Sequence, residues 1–199
     1  MGDVFSAAAG VPGQVYRSEL NPVDFLHRAA YIYPDRTAVV SGQQRYSYRQ
    51  LAERSWRLAN ALRSAGLAKG DRVATLLFNS AAMLEAHFGV PAAGGILVAV
   101  NHRLAGAEVG YILQHSGARY LLLDAGLEAL AGQAGMAGVT VIRYAGTGGA
   151  DPYEEFLAGA PPVRPASRLE HEEETISINY TSGTTGRPTR SSTPTAART

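Results

Sequence analysis

The sequence predicts an α/β fold, a three-layer unit in which a mostly parallel sheet is covered by helices on both faces. Three observations lead there. Short apolar runs recur, "RVATLLF", "ILVAV", "RYLLLD" and "VTVIRY", and strands that are apolar on both faces belong inside a covered sheet. Between them lie segments whose apolar residues return every three or four positions, the period of an amphipathic helix. Runs of the two kinds alternate, which is the pattern of strand–helix–strand crossovers and parallel neighbours.

Taken in order, residues 1–20 read as a flexible terminus rich in Ala and Gly. Asn21 can cap a helix, Pro22 suits its first turn, and Phe25, Leu26, Ala29 and Ala30 recur at helical spacing until Pro34 ends it. Thr37 to Ser41 and Arg45 to Tyr48 flank a Gly-containing turn and predict a hairpin. Ser47 and Gln50 form an S-x-x-Q capping box that opens a helix with Leu51, Leu58, Ala59 and Leu62 on one face and a stop at Gly66. Strands and helices then alternate: a helix from about Ser80 to Ala93, another from about Ala107 to Ser116, and a weak one before "VTVIRY". "AGTGGADPYEEFLAGAPPVRPAS" reads as a connector holding one helical turn at best, and "TISINY" as a further strand. The acidic "EHEEE" before that strand reads as a solvated approach loop, since consecutive carboxylates need no metal to explain them.

Bulk properties narrow the function. With 199 residues and 46% hydrophobic content, the chain can build one core, or one domain and the start of another. Eighteen basic and seventeen acidic residues give a net charge of +1 with no basic patch, so nucleic acid is not an expected partner. No cysteine is present, which removes thiolate chemistry and fits a reducing compartment. Nothing approaches a membrane span and no signal-peptide pattern opens the chain, so a cytoplasmic protein is expected. Met1, Gly2 and Ser6 match a loose myristoylation pattern that a flexible terminus explains equally well.

The strongest local feature is "INYTSGTTGRP". A strand that ends in Thr181, Ser182, Gly183, Thr184, Thr185 and Gly186 brings hydroxyls and permissive backbone to the carboxyl edge of a sheet, where α/β proteins bind ligands. Glycines let main-chain N–H groups converge on an anion, and hydroxyls add donors without bulk, so a polyphosphate is the expected guest. The spacing is neither Gly-x-x-x-x-Gly-Lys-Ser/Thr nor Gly-x-Gly-x-x-Gly, and Tyr180 stands where a nucleophile elbow has glycine. A dinucleotide-dependent oxidoreductase is disfavoured on the same ground. His27, His87, His115 and His171 show no ligand spacing and read as surface or packing residues.

"YTSGTTGRP" resembles the phosphate-loop motif of adenylate-forming enzymes, the superfamily of acyl-CoA synthetases, luciferases and peptide-synthetase adenylation domains. "DFLHRAAYIYPDRTAVV", "YSYRQLAERSWRLANALRSAGLAKGDRVATLLFNS" and "GGILVAVNHRLAGAEVGYILQHSGARYLLLD" follow that family's N-terminal layout in order, so the resemblance runs from about Asn21 to Pro188. "VNHRL" and "LQHSGARYLLLD" look most like fatty-acyl-CoA synthetases. The resemblance implies the first part of a large N-terminal domain and an AMP-forming ligase. Such an enzyme uses ATP and Mg²⁺ to adenylate a carboxylic acid, then passes the acyl group to CoA. It assigns the β- and γ-phosphates to Thr181, Ser182, Gly183, Thr184, Thr185 and Gly186; Asn101, His102 and Arg103 match a recurrent segment of the family and are read here as structural residues at the sheet edge.

The motif departs from the family after Pro188, where Thr189 and Arg190 replace an expected Lys-Gly. With standard codons, a two-base shift lets residues 191–199 encode Val-Val-Tyr-Thr-His-Arg-Gly-Ala-Tyr, which the family leads one to expect. Residues 189–199 are therefore read as a disordered, out-of-frame tail, the alternative being a low-complexity terminus. No catalytic or metal-binding residue is expected within the 199, the C-terminal domain of the family is absent from them, and none of the cofactors should bind tightly. The competing reading is a nonenzymatic nucleotide-binding or interaction module that self-associates through open sheet edges.

Overall fold

The computed structural model describes residues 20–146 and 151–181, together with the backbone of 182 and 188–194. Helix α1, Pro22–Ile32, starts where the Asn21 side chain accepts a hydrogen bond from the Val23 N–H at 3.0 Å. Strands β1 (Thr37–Ser41) and β2 (Gln44–Ser47) pair antiparallel as the predicted hairpin. Helix α2, Tyr48–Ser64, opens with the reciprocal capping box: Ser47 Oγ accepts from Gln50 N–H, and Gln50 Oε1 accepts from Ser47 N–H at 2.9 Å. Gly66, at φ 90°, carries the left-handed turn that stops it.

The central sheet contains β3 (Arg72–Leu76), β4 (Ile96–Ala99), β5 (Ala118–Asp124), β6 (Thr140–Tyr144), β7 (Thr175–Ser182) and β8 (Pro188–Pro194) in the order β6-β5-β3-β4-β7-β8. The strands from β6 to β7 are parallel; β8 runs antiparallel to β7. Alternation within the strands sorts the core. Val73, Leu97, Tyr120 and Leu122 pack with α1, α2 and α3 (Ala81–Ala93) on one face. Ala74, Val98, Leu121 and Ile178 pack with α4 (Gly106–Ser116) and α5 (Glu128–Ala134) on the other. This is the three-layer arrangement that the apolar strands imply. A Cβ placed on Gly110 of α4 would lie 2.1 Å from the Ala134 carbonyl oxygen, so only glycine lets α4 and α5 approach this closely.

The sheet order imposes one long journey. The chain leaves β6 at one edge and must reach the far side of β4 before β7 can begin. Its first stage is α6, Pro152–Ala158, two turns where the sequence suggested one at best. The buried Asp151 explains the difference. Its carboxylate caps the helix by accepting from Tyr153 N–H at 3.0 Å, and it also accepts from Ala145 and Gly146 N–H, tying the end of β6 to the start of α6. Tyr153 and Leu157 then bury the helix.

From α6 the chain becomes a strap along α2, gripped by side chains three residues apart. Arg54 meets Glu154, Arg57 Nη1 donates to the Ala160 carbonyl at 2.6 Å, Asn60 donates to the Pro161 and Val163 carbonyls, and Arg63 donates to that of Ala166. Further on, Arg164 pairs with Asp24 of α1, and Arg168 donates to the Leu67 and Ala93 carbonyls. At the head of the strap is a buried charge cluster. Glu85, 0% exposed, accepts from Arg54 Nε at 2.5 Å and from the Tyr153 hydroxyl at 2.6 Å. Burial pulls the Arg54 guanidinium down, but the hydrogen bond to Glu154 and the charge of Glu85 outweigh it and raise its pKa. Burial, followed by the charge of Glu85, pushes the Tyr153 hydroxyl well up, and the same two causes push Tyr144 up to about 12.

Residues 189–194, read from sequence as part of a structureless tail, lie within β8, whose backbone pairs with β7 from Thr175↔Pro194 to Ser182↔Pro188. The reason is physical: ladder hydrogen bonds join main chain to main chain, and Pro is tolerated at the ends of an edge strand.

Arg54→Ala should leave Glu85 buried without its cation, a loss on the order of 3–5 kcal/mol of unfolding free energy in urea denaturation. Arg57→Ala, which removes one grip on a single carbonyl, should cost about 1 kcal/mol. Equal losses for the two would sink the idea that the buried charge cluster dominates the strap.

Candidate functional site

The site is built at the carboxyl edge of the parallel strands. The connections of β3 and β4 leave toward opposite faces, into α3 and α4, so that the loops after these neighbours diverge and open a crevice. Phe78, after β3, and His102, after β4, face each other across it edge to face, with ring centroids 5.0 Å apart. Asn101 turns the chain: its Oδ1 accepts from Arg103 N–H at 3.0 Å, and its carbonyl accepts from Leu104 N–H. Asn101 thus acts on its own backbone, while Arg103 is exposed.

β7 lies beside β4, with Val98 opposite Ile178 and Ala99 opposite Asn179. The phosphate-loop sequence therefore leaves the sheet at the same edge as the crevice, one strand away from its β3 side. Thr181 is exposed and Ser182 is the last residue of β7. Gly183, Thr184, Thr185 and Gly186 lie outside the described residues. The donor set suits an anion: hydroxyls and main-chain N–H groups, with no carboxylate from Tyr180 to Pro188. Among the described residues no group of three or more His, Cys, Asp or Glu stands where it could hold a metal ion.

Sequence reasoning missed the environment of Tyr180. Its hydroxyl lies 2.9 Å from His115 Nδ1, and His115 stacks on Tyr111, one turn earlier on α4, at 5.2 Å. Sixty-five positions separate His115 from Tyr180, and no local signal joins them. His87, like His115 read as a surface or packing residue, uses Nδ1 on the Met83 carbonyl oxygen within its own helix.

The acidic approach to β7 folds around one carboxylate. Glu174 accepts from Glu170 N–H at 2.6 Å and His171 N–H at 3.2 Å, and it pairs with Lys69 at 3.1 Å. Glu172 accepts from Leu20 N–H at 3.1 Å. These carboxylates fasten the entry to β7, which is more than solvation alone. What burial Glu174 has raises its pKa, but the hydrogen bonds from Glu170 N–H and Lys69 prevail and hold it below the usual carboxylate range.

A doubly covered parallel sheet with its loops gathered at the carboxyl edge defines an α/β ligand-binding domain. Within that class, the AMP-binding enzyme profile matches residues 26–189, and the chain belongs to the AMP-binding enzyme family. A long-chain-fatty-acid–CoA ligase from Thermus thermophilus is 39% identical over 188 residues, covering 89% of this chain and 34% of that protein. The peroxisomal acetate/butyrate–CoA ligase AAE7 of Arabidopsis thaliana is 35% identical over 191 residues, covering 85% and 34%. Among solved structures, the inhibitor-bound N-terminal domain of FACL13 from Mycobacterium tuberculosis superposes with a TM-score of 0.79 at 31% identity, over 89% of this chain and 45% of that one. The chain therefore spans about a third of the length of the curated relatives it matches. No helix among the described residues is long and apolar enough to cross a membrane.

The Glu174 hydrogen bonds give a signed pH prediction. A carboxyl held lower when folded contributes stability above its unfolded pKa of about 4.3, and that stability is lost as pH falls through its own, lower value. Wild type should melt above Glu174→Gln at neutral pH, and the gap should close in acid. A gap independent of pH would refute the assignment.

Proposed function

We propose that this chain is the N-terminal portion of an ATP-dependent acyl-CoA synthetase. Such an enzyme adenylates a carboxylic acid, with a fatty acid as the favoured substrate, and then forms the thioester with CoA. The observation that carries this reading is the position of "YTSGTTGRP" at the carboxyl end of β7, beside the β3/β4 crevice, in a chain matched by its family from residue 26 to 189. The names of the relatives, acting on acetate, butyrate or long-chain fatty acids, support the acid–thiol ligase class.

A carboxylate is a poor acyl donor, and joining it to AMP supplies a good leaving group. The reaction needs the triphosphate held still while the acid approaches the α-phosphorus, and negative charge stabilised as pyrophosphate departs. Thr181, Ser182, Thr184 and Thr185 would donate hydroxyls to the β- and γ-phosphates, and Gly183 and Gly186 would let backbone N–H groups close around them. Mg²⁺ would neutralise part of the phosphate charge. No residue of the chain is assigned the adenylation chemistry, and the 199 residues by themselves are expected to bind nucleotide weakly and to lack ligase activity.

We assign residues 189–199 to a second reading frame that begins close to Thr189, and the cytoplasm as the location. The base sequence from Pro188 onward tests the frame directly: the alternate frame must read Val-Val-Tyr-Thr-His-Arg or a close variant. One observation favours the second, nonenzymatic reading. β6 closes one side of the sheet with an outer edge that no strand pairs among the described residues, and such edges recruit other chains.

Titration with MgATP separates the two. The synthetase reading expects weak binding that falls about a hundredfold or more when Thr184 and Thr185 are both replaced by Ala, the loss of about two hydrogen bonds to charged oxygens. It also expects no ATP–pyrophosphate exchange by the 199-residue chain. Binding insensitive to the double substitution would remove the loop from the site. Concentration-dependent dimers without nucleotide binding would favour the interaction module.

A further inference from the structure

Tyr180 is the residue at which the core of β7 ends and the phosphate-loop sequence begins. Alternation along the strand places buried Ile178 and half-buried Tyr180 on the α4 side, with Asn179 and Thr181 exposed. On that side, His115 Nδ1 lies 2.9 Å from the Tyr180 hydroxyl, and the two rings meet edge to face at 5.8 Å and 82°. His115 is held from behind: Tyr111, four residues earlier on α4, stacks against it with an interplanar angle of 24°. The support is rigid, because Gly106 and Gly110 press α4 against α5 closely enough to leave no room for a Cβ.

His115 is itself exposed, so core burial does not account for the contact. A fixed tyrosine hydroxyl does something else. Adjacent Cα atoms are about 3.8 Å apart, so anchoring the Tyr180 ring steadies the last residues of β7, Thr181 and Ser182, from which the phosphate-loop sequence departs. Positioning groups act through such supports, held on rigid elements, to keep a site in its working geometry. Either ring tautomer makes the bond: a bare Nδ1 accepts from the tyrosine O–H, and a protonated Nδ1 donates to the phenol oxygen.

We propose that His115, seated on Tyr111, is a positioning residue for the phosphate loop, acting through the Tyr180 hydroxyl on the triphosphate that the loop binds. The proposal rests on the phosphate-loop reading given above. It makes the last turn of α4 part of the nucleotide site without touching nucleotide.

The test is a titration of inorganic tripolyphosphate into the 199-residue chain, followed by NMR, with urea denaturation in parallel. Tyr180→Phe and His115→Ala should each weaken binding about threefold to tenfold, the worth of one hydrogen bond. The double variant should be no weaker than the weaker single, because both remove one interaction. His115→Asn, which keeps a donor and acceptor near the Nδ1 position but loses the ring stack, should recover most of the affinity while its urea midpoint stays with His115→Ala. Wild-type affinity in both single variants would overturn the proposal, as would losses that add in the double variant. Affinity that follows the urea midpoint across all variants, with no recovery in His115→Asn, would reduce the contact to packing. A wild-type chain that binds no tripolyphosphate would overturn the phosphate-loop reading itself, and this proposal with it.

Discussion

A fully buried carboxylate has to be met by a cation or neutralised, and in this fold the requirement falls on Glu85 of α3. Arg54 of α2 answers it, and because the guanidinium is a fork it reaches a second carboxylate, Glu154 of α6, at the same time. Tyr46 of the hairpin lies under the guanidinium at 4.8 Å, and Tyr153 adds its hydroxyl to Glu85. Four elements, β2, α2, α3 and α6, thus converge on one charge cluster. Without that convergence the head of the strap has no anchor on α2, and without the strap nothing carries the chain from β6 across to β7. β7 therefore reaches its place beside β4 along a strap whose head is held by a salt bridge on the α2/α3 face of the sheet.

What the sequence disclosed and what it hid divide along the range of the interactions. The caps at Asn21 and at Ser47–Gln50, the stop at Gly66 and the apolar strands from β3 to β6 are settled by residues within a few positions of each other, and each stands where the pattern put it. The strap was read as a connector, because its structure is written elsewhere. Arg54, Arg57, Asn60 and Arg63 look like the solvated face of an amphipathic helix, yet their partners lie about a hundred positions away. Polar residues at helical spacing specify a groove for another segment as readily as a wet surface. Only the fold distinguishes the two.

The site divides in the same way. An anion is the expectation at Thr181 to Gly186 because hydroxyl and glycine composition bears directly on what a loop can hold, and the strand expected before it stands as β7. The support beneath it was not. His115 carried no ligand spacing and was read as surface or packing, and in isolation the stack on Tyr111 is packing of that kind. Its bearing on the loop appears only when α4 and β7 are adjacent, and they meet only after the chain has crossed along the strap.

The tail shows the converse limit, in which structure forms with little demand on sequence. β7 has Ile178 and Tyr180 on its covered face and exposed residues at Asn179 and Thr181, so its composition reflects a specific environment. β8 pairs with it through a main-chain ladder, which any extended, Ser/Thr-rich segment can supply at an open edge. Pairing is accordingly no evidence that residues 189–194 were selected for this place, and an out-of-frame peptide would satisfy the edge equally well. What such a peptide cannot supply is the chemistry on which the next stretch of an adenylate-forming domain depends.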